Sequence, residues 1–431
     1  MHLRPTNLWQ NSDFLKLWIG QTISEIGSRV TLLALPLVAV LVLNANPFQM
    51  GLLAGIGGLA SLVFGLGAGL LVDRLRRRPI LIVTDLGRAV VLGSIPVAAS
   101  FGILNMRQVY VVVATAGILT LLFDVAYQSY LPSLVERDHV LEGNSKLALS
   151  SSFAEIAGPG LTGILVQLLT APMAILVDAL SFLASALTVW LVRKPEADVI
   201  SIPGSHIWED FTSGLRAVTH SPIRRAIAGH SATAGFFGGF FASLYVLYAI
   251  RYLHLSPALM GVVIALGGVG NILGAAMAPR LMRRFGLGVT LIGAILVMGT
   301  ATLMIPLARG SVVAATAFLM AAQVGDVGWP IYNVCELSLR QAITPDDLLG
   351  RVNAVMQILF RGLLPVGSIC AGALAGSMGM RPTLTVGAVG LMLSSLWLLF
   401  SPVRTMREYP ISDAFNSSYA AAGIQKLECN P

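Results

Sequence analysis

Twelve predominantly apolar runs, each about twenty residues or longer and separated by short polar or basic turns, dominate this chain. A helix needs about 20 residues to cross the hydrocarbon core of a bilayer. The runs cover 14–43, 48–72, 79–103, 109–127, 145–169, 171–193, 226–250, 257–279, 287–307, 311–335, 353–376 and 382–402. They are continuous rather than alternating, which excludes the strands of a lipid-facing barrel. Backbone groups in lipid must satisfy one another, so the expectation is an all-α membrane protein. Only 11% of the 431 residues are charged and 55% are apolar, with a mean hydropathy of +0.79. A soluble domain carries about a quarter charged residues, so a water-soluble globule is excluded.

The basic residues decide orientation, because Lys and Arg concentrate in cytoplasmic loops. Of 28 Lys and Arg, 21 fall in one set of alternate loops and only Arg107, Arg251, Arg309 and Arg381 in the other, while Arg29, Arg88 and Arg361 lie inside apolar runs. Both termini are therefore expected on the cytoplasmic side of the membrane. The net charge of +7 is explained by topology and does not call for nucleic acid. The stretch from Arg4 to Lys16 is polar and the first run is of full spanning length, so no cleavable signal peptide is expected. The three cysteines, Cys335, Cys370 and Cys429, lack CxxC spacing and indicate neither disulfides nor zinc.

The chain repeats itself. Pro47-x-x-Met50-Gly51 recurs as Pro257-x-x-Met260-Gly261, and Gly57-Gly58 as Gly267-Gly268, both at a shift of 210. Arg74-Leu75-x-Arg77-Arg78 recurs as Arg280-Leu281-x-Arg283-Arg284, and Pro159 matches Pro365, both at a shift of 206. The expected organisation is a six-span bundle over 1–195, a polar cytoplasmic linker over 196–221, a second bundle over 222–402 and a tail over 403–431. An even number of spans keeps the halves parallel, related by an axis along the membrane normal. Twelve helices in two pseudo-symmetric six-helix bundles around a central path is a transporter architecture.

Several motifs resemble those of the major facilitator superfamily. Gly69 through Arg78, with Asp73 and Arg74, is similar to its signature loop between spans 2 and 3, with Arg76 in place of the second glycine. Ala154-x-x-x-Gly158-Pro159-x-x-Thr162-Gly163 is similar to its span 5 antiporter motif, with Ala and Thr at two glycine positions. Leu131-Pro132-Ser133-Leu134-Val135, Asp178-Ala179-Leu180-Ser181-Phe182 and Gly350-Arg351-Val352 resemble the branch of enterobactin and macrolide exporters. The resemblance implies export by alternating access, proton antiport, and a conformational gate in the span 2–3 loop. In that gate Asp73 would accept from the amides of the next helix, and Arg77 would reach Asp124. Arg78 and, in the second half, Arg283 and Arg284 would complete it, with Pro279 where the aspartate would stand.

Charges inside spans cost about 2.5–3.5 kcal/mol each at mid-membrane, so they face protein or water. Glu25 and Arg29, four apart, can pair along the first span. Gln323, Asp326, Pro330 and Asn333 share a face of span 10, where the proline loosens the backbone. Glu155 lies one turn before Pro159, and the repeat carries it onto Arg361, one turn before Pro365. Glu155 is read either as a proton carrier exchanging with both sides or as a packing contact. Asp85 with Arg88, and Asp178, read as structural, and His230 as a packing residue. On span 7, Phe237, Phe241 and Tyr245 suit an apolar binding surface for a bulky, lipophilic or cationic ligand, while Tyr248 and Tyr252 read as an interfacial belt.

No Walker loop, HExxH or GxSxG is present in the sequence, so neither ATP hydrolysis nor another enzymatic activity is expected, and no cofactor or metal is implied. The expected function is monomeric, gradient-driven export of a small lipophilic or amphipathic compound. Uptake or lysophospholipid movement on the same fold, and a receptor or intramembrane enzyme, are the alternatives. The charge asymmetry makes a direct prediction. Single cysteines at 107 or 309 react with a membrane-impermeant maleimide on intact cells, and cysteines at 340 or 404 react only after permeabilisation; the reverse pattern would invert the topology.

Overall fold

The computed structural model describes residues 8–72, 75–194, 196 and 207–409. Every regular element among them is helical. In order they are α1 (Ser12–Leu41), α2 (Pro47–Val72), α3 (Arg77–Ser100), α4 (Met106–Leu134), α5 (Val140–Leu168) and α6 (Ala171–Trp190). A short α7 (Ile207–His220) follows, then α8 (Pro222–Leu247), which continues as a wider turn to Tyr252, α9 (Pro257–Phe285) and α10 (Leu287–Leu307). The chain ends in α11 (Val312–Gly325), α12 (Gly328–Ile343), α13 (Asp346–Met378), α14 (Met380–Leu393) and α15 (Leu396–Leu399). Eleven helical stretches are long and apolar enough to span a membrane, with α11–α12 and α14–α15 each counting as one, and a further apolar helix starts at Pro47.

Helices begin where a side chain can accept from the first free amides. Asn11, Asn105, Thr170, Ser221, Ser256 and Ser311 all do so. Two reversals turn on a single residue, Gly286 between α9 and α10 (φ 84°) and Gly379 between α13 and α14 (φ 90°), a backbone state that costs a glycine little. The basic residues of the loops also close helix C-termini. Lys16 Nζ donates to Leu191 O (3.0 Å), Arg78 Nη2 to Trp190 O (2.5 Å) and Lys194 Nζ to Leu134 O (3.0 Å).

Within the first six helices α6 packs on α1 and α3, and α4 on α2 and α3; within the later ones α13 packs on α8 and α10 on α11, α12 and α14. The two sets meet through α2 against α13 and α5 against α9. Glycines make both crossings possible. A Cβ on Gly51 would lie 2.6 Å from Ser368 O and 3.0 Å from Gly372 Cα, and one on Gly261 2.3 Å from Pro159 O and 3.1 Å from Gly163 Cα. Gly51 and Gly261 are repeat equivalents. So are Gly58, whose Cβ would strike Pro365 Cγ at 2.5 Å, and Gly268, whose Cβ would strike Ile156 Cγ1 at 2.9 Å. With little hydrophobic force between helices in lipid, such close backbone approach supplies the attraction.

Both crossings lie toward the end of the molecule that carries the α1–α2 and α8–α9 connections. At that end Arg251 donates to Ala45 O (3.0 Å) and Val40 O (3.3 Å), capping the C-terminus of α1 from the other half. Tyr248 is fully buried there, accepting from Arg381 Nε (3.1 Å), so it is a packing residue rather than part of an interfacial belt; Tyr252 is exposed. Gly261→Leu should destabilise the protein by about 1–3 kcal/mol, because the crossing must spread to admit the side chain. Gly293→Ala, whose Cβ meets nothing within 4 Å, should not. Thermal unfolding in detergent compares the two.

Candidate functional site

The span 10 proline does more than loosen its helix. Pro330 has no amide for the Asp326 carbonyl, which accepts instead from Trp329 N (2.9 Å), and the helix breaks between α11 and α12 at Asp326 and Val327. Gly325 and Gly328 let the break sit against α10, within van der Waals reach of Ala301 and the Ala294 carbonyl. The Asp326 side chain is thereby delivered into a cavity of about 440 Å3. Phe241, Tyr245, Gln323, Trp329 and Phe360 line it with Asp326. Trp329 stacks on Phe360 at 5.2 Å, and Gln323 Nε2 donates to Val263 O (3.3 Å). One carboxylate among aromatic and aliphatic walls is a setting for a lipophilic cation.

Four residues expected from the sequence meet here, and two do not. Phe237 was expected beside Phe241 and Tyr245, but its ring packs against Gly390 of α14. Eight residues at 3.6 per turn leave it about 80° round the helix from Tyr245. Asn333 is exposed, further along α12, and does not line the cavity. Trp329 and Phe360 were missed. Trp329 is adjacent to the noted proline and Phe360 to the noted arginine, but nothing local says that α12 and α13 face one another.

A polar cluster lies between the halves. Glu25 Oε1 accepts from Arg29 Nη2 (3.1 Å) and from Ser151 Oγ on α5 (3.2 Å). Arg29 runs past Gly158, where a Cβ would fall 2.3 Å from Arg29 Cβ, so the small residue of the span 5 motif is what admits α1. Asp124 of α4 and Arg361 of α13 are both exposed and act on each other electrostatically, with Glu25 close enough to contribute. Charges of opposite sign are thus contributed by α4 of the first set of helices and α13 of the later one. Glu155 Oε1 accepts from Asn271 Nδ2 on α9 (2.9 Å), so it crosses from one half to the other without an ion pair. Pro159 directs its carbonyl at Gly261 in the same interface. His230 is buried against the Tyr332 ring at 4.4 Å.

The gate contacts differ from expectation. Asp73 and Arg74 lie outside the described residues. The first amides of α3, at Arg77 and Arg78, are bound by Glu196 from beyond α6, at 2.8 and 3.2 Å. The Arg77 guanidinium stands 3.7 Å from the same carboxylate, and not at Asp124. The reason is depth. Arg77 opens its helix, whereas Asp124 is ten residues before the end of α4 at Leu134, about 15 Å further in at 1.5 Å per residue. Arg78 spends its guanidinium on the α6 carbonyls, Val189 O at 3.3 Å and Trp190 O at 2.5 Å. Arg283 and Arg284 are exposed in the last turn of α9, where they complement its dipole.

A multi-pass helical membrane protein with charged residues lining cavities among its helices has the architecture of a transporter. The chain belongs to the transmembrane secretion effector family of the major facilitator superfamily, whose sequence profile matches residues 6–426. It is a transporter and not an enzyme. It is 27% identical to the multidrug efflux pump Tap of Mycolicibacterium fortuitum over 87% of this chain and 92% of that protein. It is 23% identical to the enterobactin exporter EntS of Citrobacter koseri over 92% of this chain and 94% of that one. Among solved structures it resembles a bacterial homologue of the iron transporter ferroportin in its inward-facing state, at a TM-score of 0.72 and 17% identity, covering 91% of this chain and 99% of that one. Against the outward-facing state of a bacterial ferroportin homologue the TM-score is 0.55, with 90% and 98% covered.

Removing the Glu196 carboxylate tests the corrected gate. Glu196→Ala should cost about 0.5–2 kcal/mol, the usual range for losing a helix N-cap, and lower the thermal midpoint. Asp124→Asn, with no cap to lose, should leave that midpoint unchanged.

Proposed function

We propose that this chain exports lipophilic, amphipathic cations by alternating access, drawing on inward proton flow. The reading takes the molecule as twelve spans in two six-helix bundles, 1–195 and 222–402, with the linker, the tail and both termini in the cytoplasm. The observation that carries it is the lone carboxylate of Asp326 at a helix break inside an aromatic cavity. A cation desolvated there is held by the charge and by the faces of Phe241, Tyr245 and Trp329. When the cation leaves on the outer side, a proton neutralises Asp326 and the empty carrier returns without an exposed charge in its apolar pathway. Cation and proton compete for one group, which is the simplest form of exchange.

The remaining residues divide between pathway and gate. Glu25, Arg29, Gln323, Asn333 and Arg361 form the polar lining by which cargo enters from the cytoplasmic cleft. Asp124 stands in that cleft, and Glu155 ties α5 to α9 through Asn271, a bond that is remade as the halves rock. Gly158, Pro159 and the glycine crossings are the hinge at the closed outer end. Arg77, Arg78, Arg283 and Arg284 steady the inner ends of the bundles. The higher TM-score against the inward-facing homologue supports taking this as the state open to the cytoplasm. The efflux relatives support the outward direction.

The test uses the full chain in proteoliposomes with an imposed pH gradient and ethidium as the probe. Wild type should accumulate ethidium against the proton gradient and dissipate it, and Asp326→Asn should fall to the level of protein-free vesicles. Dissipation by a catechol siderophore, which carries no cationic group, but not by ethidium would overturn the cation assignment. Ethidium movement unaffected by the gradient would overturn antiport.

A further inference from the structure

The first half buries a second set of charges that the scheme above does not use. Asp85 and Arg88 of α3 and Asp178 of α6 are 0%, 3% and 1% exposed. The Arg88 guanidinium lies between the rings of Phe123 (4.2 Å) and Phe182 (4.1 Å), and its Nη2 donates to Asp85 Oδ1. Asp178 Oδ1 accepts from Ser181 Oγ (3.0 Å), and the Thr31 hydroxyl stands beside the same carboxyl, as the Ser185 hydroxyl does beside Asp85. Gly27 of α1 makes room for the group, since a Cβ there would fall 2.5 Å from Asp178 Oδ1.

Two carboxylates share one guanidinium out of reach of bulk water. A net negative charge in such a place is far more costly than binding a proton. Asp85 holds the guanidinium, so the uncompensated carboxylate is that of Asp178. Asp178 and Arg88 both line a cavity of about 480 Å3, together with Ser28, Thr31 and Phe182 and with Leu364 from the second half. Asp85 does not line it. The charged groups facing Asp178 are Asp85 and Arg88 from α3. From α1 it meets Gly27 and Thr31, and α5, which also packs on α6, directs Glu155 to Asn271 instead. Arg88 is also within electrostatic reach of Asp124, the exposed carboxylate of α4.

We infer that Asp178 is a second, exchangeable proton seat, held by the Asp85–Arg88 pair and opened to either side through the cavity it borders. With the proton on Oδ2, Asp178 donates to the neighbouring Thr31 hydroxyl and Arg88 stays on Asp85. When the cavity faces the lower proton concentration, the O–H bond breaks, the proton passes to cavity water, and Arg88 swings between its two rings to share the new charge. This rests on the antiport reading for its direction and adds a consequence. One proton at Asp326 makes exchange for a monovalent cation electroneutral; a second at Asp178 makes it electrogenic, so that membrane potential drives export as well.

The test is ethidium transport in proteoliposomes under a pH gradient or under a potassium–valinomycin potential. Wild type should respond to both. Asp178→Asn should still respond to the pH gradient, more slowly, and lose its response to the potential, and Asp178→Glu should regain it. A wild type indifferent to the potential, or an Asp178→Asn variant that keeps the wild-type response, would overturn the second seat while leaving antiport standing. If neither gradient drives wild type, the antiport reading falls and the seat is judged separately. That measurement uses the unaltered protein, mapping by mass spectrometry which carboxyls react with dicyclohexylcarbodiimide, a reagent for protonated carboxyls in apolar surroundings. Labelling of Asp178 at neutral pH that fades at alkaline pH supports the seat, and labelling confined to other carboxylates overturns it. The same mapping decides the matter should Asp178→Asn fail to fold.

Discussion

The halves of this molecule touch where glycine lets backbone meet backbone. At Gly51 with Gly372 and at Gly163 with Gly261 there is no room for a methyl group, and in lipid such contacts replace the hydrophobic force that joins helices in water. Both crossings lie toward one end, and Asp124 of α4 and Arg361 of α13, both exposed, lie further along the helices. Because both crossings are repeat equivalents, one duplicated glycine surface serves both seams.

Charge is managed in three distinct ways. At the membrane surfaces, Lys16, Arg78, Lys194 and Arg251 satisfy the last carbonyls of helices, and Glu196 the first amides of α3. Between the halves, Glu25, Arg29, Asp124 and Arg361 stand in or near solvent. Within the first half, Arg88 is buried between two aromatic rings beside two carboxylates, and within the second half Asp326 stands at a helix break without a cationic partner among the described residues. Only the last two place a carboxylate where it must choose between a proton and a counter-charge. They lie in cavities that meet at Ala242 of α8, which lines both.

How much of the site was legible depends on how local its geometry is. Glu25 and Arg29, four residues apart on one helix, announce their own pairing. Phe241, Tyr245, Gln323 and Asp326 are set on their helices by period alone, and Pro330 flags the break. The partners of Arg77 and Arg78 were not legible, because Glu196 approaches from more than a hundred residues away. Nor was the Asp85–Arg88–Asp178 group, which looks like a local pair and a separate acid until α6 is laid against α3.

The sequence by itself determined that this chain is helical and lives in lipid, since a bilayer admits so few backbone solutions that length and apolarity suffice. The tertiary structure decided toward which end the two sets of helices cross, that α10 presses on a broken α11–α12, and which carboxylates lack a counter-charge among the described residues. Those outcomes depend on where helices distant in sequence cross, and a crossing set by the fit of a few glycines, prolines and rings has no periodic signature along the chain.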